Sequence, residues 1–278
     1  MNKAEQNMAA NKDIASVFVW APVGRCGTGL LQRLISSSGD ILVYGEDRFL
    51  TRFIPSTLIA LTQAGRGAQT SADRLAAGDY TNWSPDALPD VSAYMAEVLN
   101  NAYAVADVYR RTTEAHGFPR WGTKLPEVYV EGVQILEQIF PRSRHIFIYR
   151  NIHDVLRSYK GRQWIKSPQD VATVAQQWAR NMYAVMHDPA RLDLLPVRYE
   201  ALIADPAGQT ARIQEFLRTA PMALDVFNHK VNTWGADNPE LGHSPTQYVE
   251  PGELTDAEHQ IIAQIPPAVF QLGGYQTP

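Results

Sequence analysis

The stretch V-F-V-W-A-P-V-G-R-C-G-T-G-L-L-Q-R-L-I, Val17 to Ile35, passes from an apolar run through a glycine-punctuated turn into an amphipathic segment. An apolar run bounded by turn residues reads as a buried strand, and Leu30, Leu31, Leu34 and Ile35 share one face of a helix. A strand feeding a helix in this way belongs to a βαβ unit, and so to a mainly parallel sheet covered on both faces. Similar strand-length runs recur at Asp40 to Gly45, Arg144 to Arg150 and Asp193 to Tyr199, with Arg120 to Lys124 a less apolar candidate. Long helical patterns follow Asp90, where Gly117 marks the end, and Ser167-Pro168, where Pro189 marks the end. Between about Gly65 and Pro89 the residues turn to Gly, Ala, Ser, Asp and Pro, which predicts an irregular excursion or lid. The expected fold is one α/β domain over residues 14–278, after a flexible, polar N-terminus at 1–13.

Composition limits what such a sheet can serve. Hydrophobic residues make up 45% of the chain, charged residues 19%, and the formal net charge is −4. A chain of this charge does not draw nucleic acid or an anionic membrane by its overall field, so any anion site must be built locally. The single cysteine, Cys26, allows no intrachain disulfide. The first residues lack the apolar core of a signal peptide, and no apolar run reaches the roughly 20 residues of a membrane span. A cytoplasmic protein without nucleic-acid or membrane partners is expected.

In a parallel α/β sheet, ligands lie beyond the carboxyl ends of the strands. The turn G-R-C-G-T-G, Gly24 to Gly29, falls there. Its glycines admit close backbone approach, and the N–H groups of the following helix start favour an anion. Arg25 adds a positive charge and Thr28 a hydroxyl donor. The triphosphatase pattern GxxxxGK[ST] fails because Leu30 occupies the lysine position, and GxGxxG fails because the glycines are Gly24, Gly27 and Gly29. A second anion-binding pattern lies in H-I-F-I-Y-R-N-I-H-D-V-L-R-S-Y, where a strand ends in Arg150 and a helix from about Ile152 carries Ser158. An arginine fork grips phosphate oxygens bidentately, and a serine hydroxyl adds a donor. From the residues alone, a ligand-free turn and a strand-end salt bridge remain alternatives.

Together these stretches resemble the sulfotransferases that use 3′-phosphoadenosine 5′-phosphosulfate (PAPS), above all the bacterial and tyrosylprotein types. Their phosphosulfate loop resembles [PG]-R-[SG]-G-T-T-L-L. Here Gly24 to Leu31 read G-R-C-G-T-G-L-L, with Cys26 for the usual serine and Gly29 for the second threonine. Arg150, Asn151, Asp154 and Val155 match the family's R-[DN]-x-x-D-V. A strand ending in R-Y-E-x-L, then D-P, is matched from Arg198 to Pro206. The resemblance implies a P-loop-like sheet, PAPS as donor and adenosine 3′,5′-bisphosphate (PAP) as product. It puts Arg25, Cys26, Gly27, Thr28, Gly29 and Leu30 around the 5′-phosphosulfate, Arg150 and Ser158 at the 3′-phosphate, and Tyr199 near the adenine.

The same resemblance assigns catalytic roles. Arg25 would stabilise the leaving group, and Lys124 in R-W-G-T-K-L-P-E would face the sulfuryl group. Glu46, in the G-E step of V-Y-G-E-D-R-F-L, would be the general base, because Pro126 stands where cytosolic members carry a histidine. Asp47 could share that role, and Arg48 could hold an acceptor or position the carboxylate. Basic side chains can stabilise the leaving group, so no metal is expected. The acceptor is expected to be a small-molecule hydroxyl, and Lys230 to Pro245 could form a lid. The rival readings are another phosphotransfer enzyme, which would need the missing loop lysine, and a nucleotide-binding scaffold.

Overall fold

A computed structural model describes residues 16–81, 87–188, 193–229 and 249–277. The N-terminus at 1–13 and the segment Lys230 to Pro245 lie outside the described residues. Five strands form one parallel sheet in the order β2-β3-β1-β4-β5. They are β1 (Val17–Trp20), β2 (Ile41–Tyr44), β3 (Arg120–Leu125), β4 (Arg144–Tyr149) and β5 (Leu194–Arg198). All five arise from the apolar runs read in the sequence, including the less apolar one at Arg120. The single α/β domain with a P-loop-like parallel sheet flanked by helices is therefore the observed architecture.

Between the strands run α1 (Thr28–Ser36), α2 (Ile54–Ala76), α3 (Val91–Ala115), α4 (Val130–Ile139), α5 (Ile152–Gly161) and α6 (Pro168–Met186). After β5 come α7 (Tyr199–Ala204), α8 (Pro206–Leu217), α9 (Asp256–Ile262) and α10 (Pro267–Leu272). Their ends follow local chemistry. The Asp90 side chain accepts from the Ala93 N–H at the start of α3, and Ser167 with Asp170 forms a capping box ahead of Pro168 at α6. On α1, Leu31, Leu34 and Ile35 are fully buried, while Leu30 is half-buried at the edge of the same face.

The excursion expected from Gly65 to Pro89 is mostly helix instead, because α2 runs through Gly65 and Gly67 to Ala76. Two glycines cost such a helix about 1 kcal/mol each. That cost is offset by good helix formers around them and by Leu58, Leu61 and Ala68, which pack into the core. Only the residues after Ala76 leave the helix, and 82–86 lie outside the described residues.

β1 is central and wholly buried, so chain order reverses on its two sides, with β3 on one and β4 on the other. That reversal opens the crevice where open α/β sheets bind ligands. Beneath it, Phe18 and Trp20 stack on His145, with the Trp20 ring within 4° of parallel. Trp20 Nε1 donates to His145 Nδ1 at 3.0 Å, and Ser143 Oγ lies 2.9 Å from Nε2. Burial pushes the imidazole pKa down to about 3, so His145 is a neutral core residue. The unfolded chain, with an ordinary histidine, takes up a proton that the folded chain refuses. His145 thus contributes stability above pH 6.5 that is lost as pH falls toward 3. Denaturant melts from pH 6.5 down to 4 should lose roughly 1.4 kcal/mol per pH unit from this residue. His145→Gln should remove that part of the slope; an unchanged slope would refute the assignment.

Candidate active site

The phosphate-type loop leaves β1 at Trp20 and enters α1 at Thr28. Its entry is pinned from two sides. Asn181 Nδ2 of α6 donates to the Pro22 carbonyl at 2.7 Å, and the Val128 N–H, just past β3, donates to the Ala21 carbonyl at 2.7 Å. Gly27 has φ 104°, a left-handed conformation, and a Cβ there would come within 2.6 Å of the Tyr199 ring. Both facts demand glycine. Gly27 caps α1 without a side-chain hydrogen bond, and the first turn carries no acidic residue. The helix start therefore keeps the positive end of its dipole open to an anion.

The other loop residues divide in role. Cys26 is fully buried, and burial pushes its thiol up to about 12, so it fills space and is no nucleophile. Thr28 is buried, Gly29 exposed and Leu30 half-buried. Arg25 is left-handed at φ 65°, and its Nε donates to Ser158 Oγ at 3.0 Å. Two sequence patterns 133 residues apart thus meet in one hydrogen bond. Because Ser158 accepts from Arg25, its own hydroxyl proton stays available for an oxyanion.

Arg150 follows β4 at the same end of the sheet. Its guanidinium lies over the Tyr199 ring, 4.6 Å from the centroid, and its carbonyl accepts from Trp178 Nε1 at 3.0 Å. Arg150 Nε is buried and has no hydrogen-bond partner among the described residues. Leaving a buried donor unmatched costs about 1–3 kcal/mol, a cost that a bound anion removes. Tyr199, expected near an adenine, packs between Gly27 and Arg150 and so couples the loop to the arginine. Asn151 caps α5 through Oδ1 to the His153 N–H, and its own N–H donates to Glu200. Glu200 also accepts from Tyr275 and Arg198, tying the ends of β4 and β5 to the C-terminal segment.

On the other side of β1, Lys124 Nζ of β3 pairs with Glu46 Oε1 at 2.9 Å. Thr123 Oγ1 donates to the Gly45 carbonyl at 2.6 Å and so fixes the step that precedes Glu46. The helix-start acid here is Asp47, since its Oδ1 accepts from the Phe49 and Leu50 N–H groups. Its Oδ2 accepts from the Tyr109 hydroxyl at 2.8 Å, and burial together with this carboxylate pushes the Tyr109 phenol up. Glu46 is spared that structural task. Arg48 is exposed. Beside Asp47 opens a mostly apolar hollow of about 300 Å³, lined by Tyr44, Val105, Val108, Tyr109 and Thr112.

A family model described as "Sulfotransferase family" matches residues 18–221. The chain belongs to the sulfotransferase family. Among solved structures it is similar to the sulfotransferase domain of the Synechococcus PCC 7002 olefin synthase, at 17% identity and TM-score 0.54, with 95% of this chain and 96% of that one covered. It is also similar to the sulfotransferase domain of the curacin biosynthetic pathway, at 14% identity and TM-score 0.49, covering 95% and 99%. A search of curated proteins found no match. The olefin synthase likeness supports the fold.

In this sulfotransferase, several supporting residues carry no local sequence signal. Trp178 reads as a core residue, and it is buried, but its indole N–H also holds the Arg150 carbonyl. Trp164 and Tyr159, which pack beside Arg25 and Gly24, lie in or next to a loop without a motif. Among the described residues no three His, Cys, Asp or Glu side chains form a metal-binding group, and no helix is long and apolar enough to cross a membrane.

Proposed function

We propose that this sulfotransferase moves the sulfuryl group of PAPS to a hydroxyl of a small-molecule acceptor by in-line displacement, releasing PAP. The observation that carries the reading is the Arg25–Ser158 hydrogen bond, which joins the loop to α5, the helix that follows Arg150, as one site for two anionic groups. A donor with phosphate at both the 5′ and 3′ positions needs two such anchors. The Arg150 Nε donor, unmatched among the described residues, fits the second of them.

The Glu46–Lys124 pair supplies the acceptor side. Glu46 takes the acceptor proton as the acceptor oxygen bonds to sulfur and the bond from sulfur to the bridging oxygen breaks. Negative charge then collects on PAP, where Arg25 and the α1 N-terminus stabilise it. Lys124 neutralises the sulfuryl oxygens in flight and aligns the Glu46 carboxylate beforehand. The hollow beside Asp47 is of small-molecule size, at the lower end of the roughly 300–1,000 Å³ usual for ligand sites. Incubation with PAPS and a panel of alcohols and phenols tests the reading. Mass spectrometry should find a sulfate ester together with an equal amount of PAP.

The loop departs from its family pattern at Gly29, and the departure is testable. A Cβ at Gly29 would meet nothing within 4 Å, so a threonine fits without displacing a neighbour. Gly29→Thr restores a hydroxyl at the helix start and should tighten PAP binding by about 3–10-fold. Calorimetry showing unchanged or weaker binding would place the anion away from this turn.

A further inference from the structure

We propose that Trp164 is a positioning residue for Arg25, its indole face holding the guanidinium in place beside the phosphate loop. The kinetic part of this proposal rests on the sulfotransferase reading above; the contact itself does not. The Arg25 Cζ lies 5.6 Å from the centroid of the Trp164 ring, within cation–π range. Trp164 stands in the loop between α5 and α6, and 46% of its surface is exposed.

Both partners are delivered by unusual backbone. Arg25 has φ 65°, and Gln163, just before Trp164, has φ 58°. Among the described residues only one other non-glycine residue is left-handed, Arg218, where α8 ends. Such conformations persist where the surroundings over-determine them, and they gather at functional sites. Two of the three fall in the two loops that meet here.

Tyr159, on the last turn of α5, braces both sides of the contact. Its ring meets Trp164 edge-on at 5.6 Å and 73°, and its carbonyl accepts from the Trp164 N–H at 3.1 Å. Its hydroxyl lies so close to Gly24 that a Cβ there would be 2.6 Å away. The loop before Arg25 and the indole beside it therefore share one rigid support.

The chemistry favours an indole for this task. An aromatic face holds the guanidinium by stacking and uses none of its in-plane donors. Stacking of this kind does not itself neutralise the guanidinium charge. Preorganisation of that charge matters most where charge develops, so the benefit belongs to turnover more than to donor binding.

Two measurements decide the proposal. The first uses ¹⁵N spectra of the full chain, with the Arg25 Nε resonance identified by its loss in Arg25→Lys. Ring current from the indole should shift this signal, and Trp164→Ala should move it while Trp164→Phe keeps part of the shift. The second is a kinetic cycle with PAPS and p-nitrophenol. Trp164→Ala should lower kcat about tenfold with little change in the KM for PAPS, and Trp164→Phe should recover most of it. In an Arg25→Ala background the Trp164 substitution should cost almost nothing further. An unmoved Nε signal overturns the proposal, as does an equal loss of kcat in both backgrounds. If the wild type transfers nothing to p-nitrophenol, the sulfuryl-transfer reading loses support, and the resonance alone decides the contact.

Discussion

Glu46→Gln should lower the rate of sulfuryl transfer to an aliphatic alcohol by roughly 10²–10⁴-fold. Glutamine keeps the length of the side chain and still accepts a hydrogen bond from Lys124, which lies 2.9 Å from the carboxylate. It cannot take a proton. PAP affinity should hardly change, because the residue stands on the β2–β3 side of the crevice, away from Arg150 and Ser158. The loss should shrink for acidic phenols, which give up their proton without help. Asp47 offers a contrast, since both its oxygens already accept hydrogen bonds from the following turn and from Tyr109. Asp47→Asn should disturb that turn and lower stability more than it changes the dependence on acceptor acidity. If Glu46→Gln turns over an alcohol at the wild-type rate, the base lies elsewhere.

The second large effect is expected at Arg150. Arg150→Ala should weaken PAP binding by roughly 2–5 kcal/mol, as for truncation of one partner of a buried charge pair. AMP, which lacks the 3′-phosphate, should lose far less. The variant should therefore bind the two nucleotides almost alike. Arg150→Lys keeps the charge but not the planar fork, nor the stacking on Tyr199, and should fall between. Calorimetry on the three proteins measures this directly. An undiminished preference for PAP in Arg150→Ala would move the 3′-phosphate to another residue.

Most of the sheet is legible in the sequence because buried parallel strands are short apolar runs, and five such runs become five strands. The capped helices at Asp90 and Ser167 are legible for the same kind of reason, since their start signals are local. The α2 helix is not, because Gly65 and Gly67 read as breakers while the packing of Leu61 and Ala68 that overrides them is tertiary. The candidate site divides in the same way. Arg25, Arg150 and Ser158 stand in strand-to-helix motifs and can be read one at a time, but their meeting cannot, since 133 residues separate Arg25 from Ser158. Glu46 and Asp47 are adjacent acids, and sequence alone does not tell which one caps the turn. The hydrogen bonds of Asp47 do. Trp164 shows no pattern at all, because a cation–π contact between two loops has no spacing rule.

Arg25, Ser158 and Arg150 are proposed to form one site for a nucleotide with phosphate at both ends of its ribose. Calorimetric titration of the wild-type protein with PAP, AMP and ATP in parallel tests it without knowledge of the acceptor. PAP should bind at least about tenfold more tightly than AMP, because a 3′-phosphate gains charge-assisted hydrogen bonds that AMP cannot make. ATP should not match it, since its added phosphates extend from the 5′ side. Equal affinity for PAP and AMP, or tighter binding of ATP than of PAP, would rule out a 3′-phosphate site at Arg150 and Ser158.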